Sequence, residues 1–156
     1  MSFQILALPN EGFAPLFSLA DDALRERGAL RKVVDKKPGF PCRVSLADAE
    51  IGETVLLVHY EHQPAQTPFR ASHAIYVREG VAQAHCEVGE VPALLRTRTI
   101  SLRGFGRDHM LIAADLAEGT ALESALEAMF TNEAVGYIHL HFAKPGCYAA
   151  RAVRAG

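Results

Sequence analysis

The chain is poor in cysteine. Cys42, Cys86 and Cys147 are odd in number, widely spaced and without any Cys-x-x-Cys, which excludes a disulfide framework and a zinc ribbon and leaves reduced thiols as the expectation. It also lacks a basic surplus. Sixteen Lys plus Arg stand against 18 Asp plus Glu, a net charge of −2, so the electrostatic footprint of phosphate-backbone binding is missing and nucleic acid is not an expected partner. No window approaches the ~18 apolar residues of a membrane span, and the first nine residues carry no basic segment leading into an apolar stretch. A cytoplasmic protein without membrane attachment is expected. Fixed-period repeats and low-complexity tracts are absent too. What is present is 156 residues, 49% hydrophobic and 22% charged, the balance of one globular domain over 1–156 with enough chain to bury a core.

Turn residues divide that domain. Phe3 to Leu8 reads as a strand, followed after Pro9, Asn10 and Gly12 by a short helical stretch through Phe13, Leu16 and Phe17. Asp21 and Asp22 suit an N-cap and first turn, and Gly28 suits the C′ position of that short helix. Leu30 to Val34 reads as a strand, and Lys36 to Pro41 as a rigid loop. Ser45, Asp48 and Gly52 suggest one capped helical turn before Thr54 to Tyr60, whose apolar residues on both faces mark a central strand. Glu61 to Ser72, with Pro64 and Pro68, reads as a long polar site loop. Ala74 to Arg78 is a further strand, and Thr97 to Leu102 pairs with Met110 to Leu116 across a glycine-rich turn. A helix capped by Thr120 and Glu123 buries Leu122, Leu126, Met129 and Phe130, and Val135 to Phe142 then pairs with Cys147 to Val153 across Lys144-Pro145-Gly146. Connections this short do not suit parallel crossovers, so the expected fold is α+β with a mainly antiparallel sheet and two or three short helices.

His139 and His141 alternate with apolar residues on one strand, so both imidazoles share a face with Tyr137. Two such rings can hold zinc or iron if a third ligand arrives, from Cys147, Cys42, His59 or His62, although no spacing matches a zinc motif and a solvated sheet face gives the same pattern without metal. Cys42 beside Arg43 and Cys147 four residues before Arg151 are thiols with cationic neighbours, but core thiols look the same. Cys86, between His85 and Glu87, reads as incidental. His62 can act as an acid or base and Arg70 as an anion clamp on the proline-stiffened loop. Arg96 to Arg103 is the densest basic stretch, yet it has neither the interleaved aromatics of single-strand binding nor a dinucleotide fingerprint.

Gly39-Phe-Pro-Cys-Arg43, Tyr60-Glu-His-Gln-Pro64, Pro68-Phe-Arg-Ala-Ser72 and His139-Leu-His-Phe-Ala-Lys-Pro-Gly-Cys-Tyr-Ala-Ala-Arg151, in that order, resemble the bacterial domain-of-unknown-function family numbered 1203, over nearly the whole chain. The resemblance implies a small stand-alone cytosolic bacterial protein and carries no reaction or catalytic residue onto any position. In that family's pattern a polar residue, typically Asn, stands where this chain has Phe142.

The leading expectation is a small polar or anionic ligand, with or without catalysis, in a pocket gathered from Cys42, Arg43, His62, Arg70, Ser72, His141, Cys147 and Arg151. No cofactor is required by that reading. A metal-dependent enzyme using His139 and His141 is one alternative, and a non-catalytic protein that dimerises or docks through strand edges is the other.

Overall fold

The computed structural model describes residues 2–155. In chain order its strands are β1 (Ser2–Leu6), β2 (Ala29–Val33), β3 (Pro41–Cys42), β4 (Ala47–Asp48), β5 (Thr54–Gln63), β6 (Ala71–Arg78), β7 (Thr99–Phe105), β8 (Leu111–Glu118), β9 (Tyr137–Phe142) and β10 (Tyr148–Ala155). The helices are α1 (Asp21–Glu26), α2 (Ala93–Arg96) and α3 (Leu122–Phe130), with 3₁₀ turns at Ala14–Ser18 and Gly119–Ala121. The strands form two five-stranded sheets, ordered β1-β10-β9-β7-β8 and β2-β5-β6-β3-β4. Every named strand pair is antiparallel except the β3–β6 contact at Cys42 and Tyr76. The α+β, mainly antiparallel expectation therefore holds.

Two strands explain where the site lies. β9 reads Tyr-Ile-His-Leu-His-Phe and is buried at all six positions. Ile138, Leu140 and Phe142 enter a core with Leu122, Leu126 and Phe130 of α3, so alternation turns Tyr137, His139 and His141 to the other face, toward the second sheet. On β5, Leu56 and Val58 join a second core with Ile75, Val77 and Leu24, and the strand continues to bury His62 and Gln63. Polar ring atoms from both sheets thus meet where the apolar cores end. The turn after β9 is closed by Gly146 N–H to Phe142 O at 2.8 Å and Phe142 N–H to Cys147 O at 2.9 Å. Gly146 has φ +81°, a left-handed conformation that a side chain resists.

The structure departs from the local expectations in four places. The helical turn expected between Ser45 and Gly52 is instead the short strand β4, paired with β3, because the open backbone of β3 offers partners that one isolated turn lacks. Residues 61–63 extend β5 and 71–72 begin β6, so the long polar loop shrinks to 64–70. α1 has Ala20 at its N-cap and both Asp21 and Asp22 in its first turn. Thr120 lies in a 3₁₀ turn and caps nothing, while Glu123 pairs with Arg96. That ion pair ties α3 to α2 and takes the carboxylate that a capping box needs.

Candidate functional site

The junction of the sheets holds four imidazoles. Across β9, His139 stands opposite Arg103 of β7 and Arg151 of β10, and His141 opposite Ser101 and Tyr148. From the second sheet, His62 lies next to the end of β5 and His73 near the start of β6. The His62 and His73 rings are stacked with centroids 4.8 Å apart, and His62 Nε2 and His73 Nδ1 share a 2.7 Å hydrogen bond. His141 meets both rings edge-on at 4.9 and 5.3 Å. Its Nδ1 lies 2.9 Å from Gly146 O; since a carbonyl only accepts, Nδ1 carries the proton and Nε2 is a bare lone pair. The Tyr148 ring stacks on His62 at 5.2 Å.

Burial leaves three nitrogens of this cluster without partners. His62 is 8% exposed, His139 4% and His141 not at all, yet His62 Nδ1, His139 Nδ1 and His141 Nε2 bond to nothing. Native structures satisfy most buried polar groups, so three orphans in one place call for an explanation. Desolvation dominates their titration. It lowers His62 to about 4 and His139 and His141 to about 3, helped by the positive fields of neighbouring imidazoles and Arg103, and it lowers half-buried His73 as well. All four rings are consequently neutral at physiological pH.

A cleft of about 250 Å³ opens beside His62 and His139 and is bounded by Gln63, Pro64, Ala65, His109, Tyr137 and Arg151. Gln63 Nε2 donates to the Tyr137 hydroxyl at 2.9 Å, and His109 Nδ1 lies 2.7 Å from the same oxygen. The Arg151 guanidinium covers the Tyr137 ring at 4.3 Å.

A second, larger cavity, about 450 Å³, is walled by Gly39, Pro41, Tyr76, Phe142 and Pro145 and carries Arg43, Arg98, Lys144, Glu118 and Cys147. Arg43 is the buried cation of this hollow, 1% exposed. Backbone bonds from its own N–H to Tyr76 O (3.1 Å) and from Leu8 N–H to its carbonyl (3.0 Å) fix its position. Its side chain donates to Tyr148 O at 2.7 Å, Pro41 O at 2.6 Å and Cys147 Sγ at 2.9 Å. No carboxylate pairs with it among the described residues, whereas neighbouring Arg98 binds Asp48 at 2.8 Å. Burial pulls the Arg43 pKa down, and the adjacent Cys147 sulfur works in the opposite direction. Both guanidinium groups lie over the Phe142 ring, at 5.0 and 5.1 Å, so the aromatic residue at this position serves as a cation platform.

The residues expected to share one pocket divide between these hollows. His62 and His141 meet in the imidazole cluster, Arg151 borders its cleft, and Arg43 and Cys147 belong to the larger cavity. Register explains the division: Tyr148 stands opposite His141, so the preceding residue, Cys147, turns to the other side. Cys42 is fully buried in the second core and accepts backbone N–H groups from Ser45 and Arg78. Arg70 is exposed and binds Glu61 at 2.7 Å. Ser72 shares β6 with His73, but alternation turns it to the opposite face. Cys86 is buried in the first core rather than idle in a polar connection, and burial raises its thiol. His139 and His141 do share a face, their centroids 6.4 Å apart, but that face is buried against the second sheet instead of solvated. The sequence gives His73, Arg103 and His109 no distinguishing mark. His73 directly follows the segment read as loop, and Arg103 counted only as part of a basic strand.

Fold and site together define an α+β domain of two mainly antiparallel sheets with histidines clustered at their contact. The chain belongs to the DUF1203 family, a protein of unknown function, whose model matches residues 39–154. That span contains every residue of the cluster and of both hollows. No curated protein and no solved structure matches the chain.

Proposed function

We propose that the protein binds a small anionic metabolite in the cavity beside Arg43 and Cys147, with the thiol placed to meet the ligand. The observation that carries this reading is the buried Arg43 guanidinium without a carboxylate partner. A charge taken out of water is costly unless an opposite charge meets it; two carbonyls and the Cys147 sulfur take up three of its five N–H groups, and no carboxylate meets it. The cavity volume of about 450 Å³ falls within the ~300–1,000 Å³ of small-molecule sites. Lys144 adds a further cation beside Arg43 and the Asp48-paired Arg98, and Tyr76, Phe142 and Pro145 give the ligand an apolar wall. The three thiols Cys42, Cys86 and Cys147 are free, which supports a reducing, cytoplasmic setting of the kind the family resemblance implies in bacteria.

Thermal unfolding of chelator-stripped protein with acetate, succinate, citrate and inorganic phosphate, against acetamide and glycerol as neutral controls, tests the reading. An anion at a hundred times its Kd stabilises by about 2.7 kcal/mol, a rise of about 5–10 °C in Tm for a chain of this length. Lys144→Gln, at an exposed position, should shrink the rise without loss of fold. The bound anion should also slow alkylation of Cys147 by iodoacetamide, mapped by mass spectrometry. The proposal fails if no anion exceeds the neutral controls, or if Lys144→Gln responds like the parent protein.

A further inference from the structure

The imidazole cluster has no part in the anion cavity, and its unpartnered nitrogens ask for a ligand of their own. One ring nitrogen from each of His62, His73 and His141 lies within 4.8 Å of the other two. Four-coordinate zinc with bonds of about 2.0–2.1 Å sets its ligand nitrogens about 3.3 Å apart. The three nitrogens are therefore within about 1.5 Å of the ligand spacing of zinc, and an ion there would take the place of the His62–His73 hydrogen bond. We propose that His62, His73 and His141 form a binding site for one first-row divalent transition metal of the zinc type, with a fourth position open to an exogenous ligand.

Three features argue for an ion rather than an accidental grouping. The first is the state of His141: the Gly146 carbonyl holds its Nδ1–H and aims an unpartnered Nε2 lone pair inward, which is how an outer-shell carbonyl orients a histidine ligand. The second is His62, whose Nδ1 has no partner and whose Nε2 is occupied only by His73. The third is the donor set. Neutral imidazoles keep one N–H each and offer one lone pair each, so three rings supply three donors without releasing a proton. Such a set suits zinc, copper, nickel or iron and not the oxygen-seeking Mg²⁺ or Ca²⁺.

The surroundings also constrain the fourth ligand. Arg103 faces the cluster from β7, opposite His139, and its positive charge opposes that of the ion. An anion such as hydroxide or a carboxylate in the open position is attracted by both charges. His139 stands beside the triad without belonging to it. Its Nδ1 is unpartnered and it borders the 250 Å³ cleft, where it can contact what the ion holds.

The test uses the full chain, stripped with chelator and titrated with Zn²⁺ by calorimetry and with Co²⁺ by visible absorption, without added anionic metabolite. One equivalent should bind, and Co²⁺ should develop the intense d–d bands of a tetrahedral site. His73→Gln removes the half-buried ligand, where misfolding is least expected, and should weaken Zn²⁺ binding by more than about a hundredfold, beyond the 10- to 100-fold cost of losing an outer-shell partner. His141→Gln should do the same, its fold checked by circular dichroism. His139→Phe should retain stoichiometric binding. The absence of stoichiometric binding would overturn the site and leave buried water as the partner of the orphaned nitrogens. Binding that survives His73→Gln, or vanishes in His139→Phe, would equally overturn this choice of ligands. None of these results bears on the anion cavity, which is tested on metal-free protein.

Discussion

Lowering the pH of the chelator-stripped protein from neutral to about 5 should remove about 5–6 kcal/mol of its stability. Burial holds His62 at about 4 and His139 and His141 at about 3, against roughly 6.5 in the unfolded chain. At about pH 5 the folded rings are still neutral while the unfolded ones are nearly all protonated, and each such difference favours unfolding by about 2 kcal/mol. Because none of the three is charged in the folded state at that pH, their mutual repulsion does not enter. The sign follows from the depressed folded values: the stabilising contribution is complete above about pH 6.5 and is lost as the pH falls toward the folded pKa values of about 3–4. Since domains are stable by about 5–15 kcal/mol, acid should unfold this one well before its carboxylates are titrated. Urea unfolding followed by circular dichroism at several values between about pH 7 and 5 measures the loss. His139→Phe, placed among Phe105, Tyr137 and Tyr148, removes one contribution and should reduce the loss to about 4 kcal/mol. A urea midpoint that does not move over this range, or an unchanged pH dependence in His139→Phe, would refute the reasoning.

Two further predictions concern the scaffold. Gly119→Ala places a Cβ 1.9 Å from the Leu95 carbonyl oxygen and 2.6 Å from the Arg96 backbone, so α2 and the turn before α3 must separate. Its yield of soluble folded protein should collapse, as read by expression and size-exclusion chromatography. Leu126→Ala empties a fully buried position on α3 and should cost about 2–5 kcal/mol in urea unfolding, with the larger value if the core does not relax into the space.

How much of this was legible in the sequence depended on whether the signal was local. β9 and β10 could be read because alternation and a Pro-Gly turn lie within one short segment, and α3 because its apolar residues recur at helical spacing. The capping residues of α3 could not, since Glu123 is drawn away by Arg96, 27 residues distant. The pairing of His139 with His141 on one face follows from strand geometry alone. Their meeting with His62 and His73 does not, because it depends on how two separate sheets pack. His73 was further hidden by its place after Pro68-Phe69-Arg70, where composition suggests a loop although the backbone has already joined β5 in a ladder. In the sequence Arg43 is simply the neighbour of Cys42. Its true sulfur partner is Cys147, 104 residues away, which only the tertiary structure could reveal.

Tyr148 touches residues of both sites without lining either hollow: its main-chain oxygen receives Arg43 while its ring lies flat on His62. It is a joist common to two rooms and seen from neither. A lesion there will mix two phenotypes that no single assay can untangle, so dissection should begin with residues answering to one chamber alone: Lys144 on one side, His73 on the other.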